Sequence, residues 1–146
     1  MTDDCFLCDL DGFRADSVIY AENELVAFGN LENGDALSGS GVIVPKVHRP
    51  TVFDLTPEEV SATFELLQEV RPLLEQRYNP DGFNIGWNCF GAGGQSVGHA
   101  HMHVLLRFAD EPSAGRGIRW WLRQPGNRRS DPAAQGHGRR GFDVPK

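Results

Sequence analysis

The sequence predicts an α+β fold: a mainly antiparallel sheet with one long helix. Three observations carry this reading. Several short β-prone stretches are separated by turn residues, one stretch with helical spacing is opened by a strong helix start, and two late strands are joined through a glycine-rich loop.

Taken in order, Ser17 to Ala21 and Leu25 to Phe28 are short strands separated by Glu22 to Glu24, a hairpin pattern. Asn30 to Ser40, rich in Gly, Asn, Asp and Ser, reads as a loop, and the apolar run Gly41 to Val44, stopped by Pro45, as a buried strand. Thr56 then offers a helix cap, Pro57 suits the first helical position, and Glu59 completes a capping box. Val60, Phe64, Leu67, Val70 and Leu74 recur at helical spacing through about Tyr78, where Asn79 and Pro80 end the helix. Pro72 removes a hydrogen bond and crowds the preceding turn, so a kink or two segments are expected near Val70 to Pro72. Gly82 to Asn88 alternates as a strand, Gly91 to Gly94 punctuates, and a last strand runs from the histidines to about Phe108. No internal repeat is present.

The chain has 146 residues, of which 40% are hydrophobic, enough to bury one core. Residues 1–110 read as the folded body and 111–146 as a carboxy-terminal arm, basic toward its end, in which Trp120 and Trp121 are expected to pack. From Arg123 onward six basic residues face two acidic ones, so this end segment carries +4 of a net charge of −6 and the chain before it carries −10. An acidic body argues against nonspecific nucleic-acid binding, which needs a continuous basic face. No apolar run approaches the roughly 20 residues of a membrane span, and Met1 to Cys5 lacks signal-peptide character, so a cytoplasmic protein is expected. Three cysteines make no disulfide framework, but Cys5 and Cys8 have zinc-like spacing.

The chemistry concentrates at His99, His101 and His103. On a strand they share one side while Ala100, Met102 and Val104 take the other. A solvated face and a shared catalytic metal are two readings of such a triplet. The third is phosphoryl chemistry. The preceding Gly91 to Ser96 lets backbone amides approach an anion, with Gln95 and Ser96 as further donors, and a neutral imidazole is a competent nucleophile toward phosphorus.

The run His99-Ala-His-Met-His-Val-Leu105, led in by Gly94 to Val97, resembles the defining motif of the histidine triad (HIT) superfamily, with the likeness extending over roughly Cys5 to Phe108. The resemblance implies a HIT-like fold, half of a two-fold homodimer, for residues 1–110. It implies His101 as a nucleophile that becomes a transient nucleotidyl-histidine, His103 as a phosphate contact, and the His99 carbonyl as the group that holds the protonated nitrogen of His101. Ser96 and the loop at Gly94 and Gln95 match the group that contacts phosphate and leaving group, and Asn88 a phosphate ligand. Asn30 stands where relatives carry an Asp for ribose hydroxyls; Leu7, Phe28 and Leu31 are candidates by position for an apolar base cleft.

Many bacterial members of the family pair an amino-terminal Cys-x-x-Cys with a histidine after a Val-Pro-Lys strand end and with the first triad histidine. Cys5, Cys8, His48 and His99 match, which implies a closed Cys2His2 zinc site with a structural role. The implied activity is hydrolysis or nucleotidyl transfer at the α-phosphate of purine nucleotide derivatives, dinucleoside polyphosphates such as diadenosine tetraphosphate first. Nucleoside phosphoramidates, as in the Hint branch, come second, and a non-catalytic nucleotide-binding regulator is a third class.

Overall fold

Asp9 opens the first element by capping a short helix, α1 (Leu10–Asp16), where its carboxylate accepts from the Gly12 amide at 3.0 Å. This helix is absent from the sequence prediction. The computed structural model describes residues 5–30 and 38–129. The expected hairpin follows as β1 (Tyr20–Glu22) and β2 (Val26–Asn30). Asn23 ties its turn by accepting from the Leu25 and Val26 amides, each at 3.0 Å. The predicted loop from Asn30 to Ser40 lies largely outside the described residues, with Leu31 among those omitted.

β3 (Gly41–Pro45) leads through a 3₁₀ turn at Val52–Asp54 into α2 (Pro57–Tyr78). The capping box forms as its residues predict: Thr56 Oγ1 accepts from the Glu59 amide at 3.1 Å, and the Glu59 carboxylate accepts from the Thr56 amide at 2.8 Å. Asn79 ends the helix at φ 48°, a left-handed cap that asparagine tolerates.

The helix runs as one continuous element through Pro72 rather than as two segments. Pro72 and Gln68, whose carbonyl the proline cannot bond, both lie on the exposed side, where a carbonyl without a helical partner costs little. The buried face is also rotated from the apolar spacing. Ala62, Thr63, Leu66, Val70 and Leu74 are buried, whereas Val60 is 36% and Phe64 46% exposed, with Phe64 set edge-on to Trp87.

β4 (Gly82–Trp87) and β5 (Met102–Arg107) complete a five-stranded sheet in the order β1-β2-β3-β5-β4, with every neighbouring pair antiparallel. One face carries Val26, Phe28, Ile43, Met102, Val104 and Leu106 onto α2 and forms the main core. On the opposite face Ala27 and Val44 pack with Leu7, beside Phe13, Val42 and Val97. Fully burying each leucine or valine of α2 contributes about 1.5–3 kcal/mol.

After β5, Arg107 gathers the start of the arm: its guanidinium pairs with Glu111 at 2.6 Å and donates to the Ser113 and Arg116 carbonyls and to Asn84. The arm is thus tied to the body before a short helix, α3 (Ile118–Leu122), in which Trp120 packs edge-on to Trp121 and beneath Arg116. No helix among the described residues is long and apolar enough to cross a membrane.

Candidate functional site

The histidine strand starts later than its alternation predicts. Only His103 lies in β5; His99 sits in a bend, and Ala100 and His101 lead from it into the strand. The pairing of β5 with β3 ends at Met102 opposite Ile43, two residues before Pro45, which has no N–H to extend the ladder. The Ala100 amide turns instead to the Arg49 carbonyl at 2.6 Å.

This departure sets the triad. His101 is 8% exposed, and its Nδ1 lies 2.8 Å from the His99 carbonyl oxygen. A carbonyl only accepts, so Nδ1 carries a proton, and in the neutral ring the free lone pair is on Nε2. The His103 ring stands edge-on to His101 with centroids 4.9 Å apart, and its Nε2 is 3.5 Å from Asn88 Nδ2. Burial lowers the His103 pKa below its ordinary value, and the neighbouring His101 lowers it further.

His101 and His103 line a cleft of about 380 Å³, together with Leu7, Phe13, Gly29, Val42 and Leu105. Phe6, Val97 and Ser40 also border it. Gly29 is required here, since a side chain would run into the Phe13 ring. A second cavity of about 260 Å³ opens on the other side of His103, against Asn88, Gly86, Trp87 and Ile118.

The glycine loop is held rather than open. Gly94 adopts φ 87°, and the amides of Gly93, Gly94 and Gln95 all bond within the loop, to Gly91 or Phe90 carbonyls. Among the described residues no such bond engages the amides of Ser96, Val97 or Gly98, the stretch that runs into the histidines. The Ser96 side chain is exposed.

The four expected metal ligands converge. The Sγ atoms of Cys5 and Cys8 and the Nδ1 atoms of His48 and His99 are placed so that all four ligand atoms lie within 4.8 Å of one another. Cys5 and Cys8 Sγ lie 3.4 and 3.5 Å from His99 Nδ1, and Cys8 Sγ 3.3 Å from His48 Nδ1. Tetrahedral zinc, with bonds of about 2.3 Å to sulfur and about 2.0–2.1 Å to nitrogen, separates neighbouring ligands by about 3.5 Å. The donor set therefore fits zinc. Burial keeps the His99 imidazole neutral to lower pH, with His48 and His101 adding to the effect, and leaves it able to ligate. Burial also raises the Cys8 thiol, as does the facing Cys5; a divalent cation between them reverses that preference.

The family model for the HIT domain matches residues 14–110. The chain belongs to the HIT family. A HIT-like protein of Mycoplasma pneumoniae is 30% identical over 85% of this chain and 83% of its own length. An asymmetrical bis(5'-nucleosyl)-tetraphosphatase of Schizosaccharomyces pombe is 31% identical over 62% of this chain and 48% of its own length. The crystal structure of a HIT family protein from Bacillus anthracis is 32% identical, with a TM-score of 0.65 over 75% of this chain and 77% of that one. A Zn-bound histidine triad protein from Mycobacterium smegmatis shares the fold at 24% identity and a TM-score of 0.62, over 78% and 82% of the two chains.

Of the residues expected at the HIT nucleotide site, His101, His103 and Leu7 line the 380 Å³ cleft, Asn88 lies beside His103, and Gly94 lies beside Asn88. Ser96 lines neither cavity, and three other expected residues are turned elsewhere. Gln95 is 3% exposed and spent internally: Oε1 accepts from the Phe90 amide, and Nε2 donates to the Pro50 and Val97 carbonyls. Phe28 and Asn30 lie on the α2 face, because β2 alternates and Gly29 takes the cleft side. Asn30 is 1% exposed, accepts from the Ile19 amide at 2.7 Å and donates to the Gly39 carbonyl at 2.9 Å. Leu31 lies outside the described residues. Val42 and Leu105 were missed, although the alternation that picks out His103 also picks them out; Phe13 was missed with α1.

Proposed function

We propose that this HIT protein is a nucleotide hydrolase or nucleotidyl transferase acting at the α-phosphate of purine nucleotide derivatives, dinucleoside polyphosphates in particular, through a nucleotidyl-His101 intermediate. The observation that carries the reading is the bond from His101 Nδ1 to the His99 carbonyl, which leaves Nε2 bare at the wall of an apolar cleft. The tetraphosphatase activity for which the Schizosaccharomyces pombe relative is named supports the substrate class.

In this mechanism the nucleoside lies against Leu7, Phe13 and Val42, and His101 Nε2 attacks the α-phosphorus. A P–N bond forms as the P–O bond to the leaving polyphosphate breaks, and the His99 oxygen stabilises the resulting imidazolium. The amides of Ser96 to Gly98, the Ser96 hydroxyl and Asn88 donate to phosphate oxygens, while neutral His103 holds the phosphate without adding charge. The cavity beyond His103 receives the departing group. Water then attacks phosphorus, the P–N bond breaks, and a nucleoside monophosphate leaves with His101 restored and the water proton released.

Cys5, Cys8, His48 and His99 would hold a zinc ion, and a Zn-bound relative of the same fold supports this. A fully ligated ion of this kind has no open position for substrate, and its contribution is structural. A homodimer is part of the proposal: β4 is an outer strand of the sheet, and Ile118 beside it is 62% exposed.

The deciding experiment is a turnover panel of diadenosine polyphosphates, adenosine phosphoramidate and nucleotide sugars, combined with mass-spectrometric trapping of the adduct. The expected result is a nucleotidyl group on His101 and, in His101→Ala, loss of turnover by at least about 10³-fold with nucleotide affinity kept. Retained turnover in that variant refutes the covalent route.

A further inference from the structure

The peptide unit between His99 and Ala100 is bonded at both ends. Its N–H donates to the Arg49 carbonyl at 2.6 Å, and its carbonyl accepts from His101 Nδ1 at 2.8 Å. Because the unit is planar, a displaced Arg49 carbonyl that draws the N–H after it also swings the His99 oxygen away from His101. Hydrogen bonds in series through one amide polarise each other, so the Arg49 contact makes the His99 oxygen a stronger acceptor.

The Arg49 carbonyl is itself anchored from a distance. Arg49 Nε donates to both carboxylate oxygens of Glu59, at 3.1 and 3.0 Å, and the Glu59 side chain is 5% exposed. Glu59 is fixed in the first turn of α2, where it closes the capping box on Thr56. A capping box alone requires neither burial nor a cationic partner. The next residue continues the pattern: the Pro50 carbonyl accepts from Gln95 Nε2 at 2.7 Å, so two consecutive carbonyls hold the histidine segment and the glycine loop.

We infer that Arg49 and Glu59 are positioning residues for His101. The pair locks the Arg49 carbonyl to the end of α2, and that carbonyl, through the Ala100 amide, sets the ring from which Nε2 acts. Neither residue acts by touching substrate; the effect passes through backbone. The inference rests on the reading of His101 as nucleophile.

The test compares Arg49→Met, Glu59→Ala and Glu59→Gln with the parent full-length protein. Arg49→Met breaks the pair while leaving the Glu59 cap, and Glu59→Gln keeps an acceptor for both Arg49 and Thr56. Four quantities are read with diadenosine tetraphosphate: kcat, KM, the single-turnover rate of nucleotidyl-His101 formation, and bound zinc. In Arg49→Met and Glu59→Ala, kcat and the adduct rate are expected to fall together by about tenfold. KM should stay within twofold and zinc content should not change, while Glu59→Gln recovers most of the loss. Unchanged kcat per folded molecule in Arg49→Met overturns the inference, as does a KM effect larger than the kcat effect. Should Glu59→Ala fail to fold, Arg49→Met decides alone. A parent that forms no adduct overturns the nucleophile reading and this inference with it; a normal parent with unaffected variants overturns this inference only.

Discussion

The Nε2 of His99 lies 2.9 Å from the carbonyl oxygen of Pro45, next to the point where β3 stops pairing with β5. The proton on Nε2 is committed to that carbonyl, so Nδ1 faces Cys5 and Cys8 as a bare donor. Replacing both Cys5 and Cys8 by Ala is therefore expected to abolish zinc binding and to cost about 2–3 kcal/mol, or roughly 5–10 °C in Tm, while part of the turnover survives. Metal analysis of the purified proteins with calorimetry checks this; equal metal content in variant and parent removes the zinc assignment.

His103 gives a pH signature. Its pKa is held below the ordinary 6.5 by burial and then by His101. A depressed histidine binds fewer protons folded than unfolded, so its stabilising contribution is complete above 6.5 and is lost as pH falls through the folded value. Following the His103 ring by NMR should show a midpoint below 6.5, and in His103→Gln the fall in stability below that pH should be shallower. A midpoint at or above 6.5 contradicts the burial argument.

Asn30 separates two readings of one position. A carboxylate there, read from the family, improves ribose binding; in this fold it sets a charge against the Gly39 carbonyl in a buried site. Asn30→Asp should lower stability by about 1–3 kcal/mol and leave nucleotide affinity unimproved. Denaturant unfolding and nucleotide titration measure both, and a gain in affinity without loss of stability restores the ribose role.

The two faces of α2 give a contrast in packing. Leu66→Ala removes a fully buried side chain and should cost about 2–5 kcal/mol. Phe64→Ala removes a half-exposed ring and its edge contact with Trp87, and should cost less than Leu66→Ala. Equal costs in urea denaturation would mean that the helix buries the face its apolar spacing suggests.

What the chain discloses unaided follows how local each determinant is. The helix start at Thr56 and Glu59 and its end at Asn79 depend on residues within one turn, and they are legible. The alternation of Met102, Val104 and Leu106 against His103 is equally local. The beginning of β5 is not, because it depends on Pro45 across the sheet. Gln95 looks like a phosphate donor until Pro50 and Phe90 come to it, and Asn30 looks like a ribose ligand until Gly39 does. Cys5 and His99 are 94 positions apart, so only the family likeness joined them before the fold did. Helix α1 has seven residues, none buried, and offers little periodicity to read.

Phe6 and Leu7, which border the cleft proposed for the nucleotide, are the two residues enclosed by Cys5 and Cys8. A zinc ion that fixed the cysteines would also fix this wall, and would give the metal and the nucleotide a shared free energy. Such coupling is reciprocal: by whatever factor zinc tightens the grip on a nucleotide, a bound nucleotide tightens the grip on zinc. Substrate supply and metal supply would then reinforce each other at the amino-terminal end of the chain.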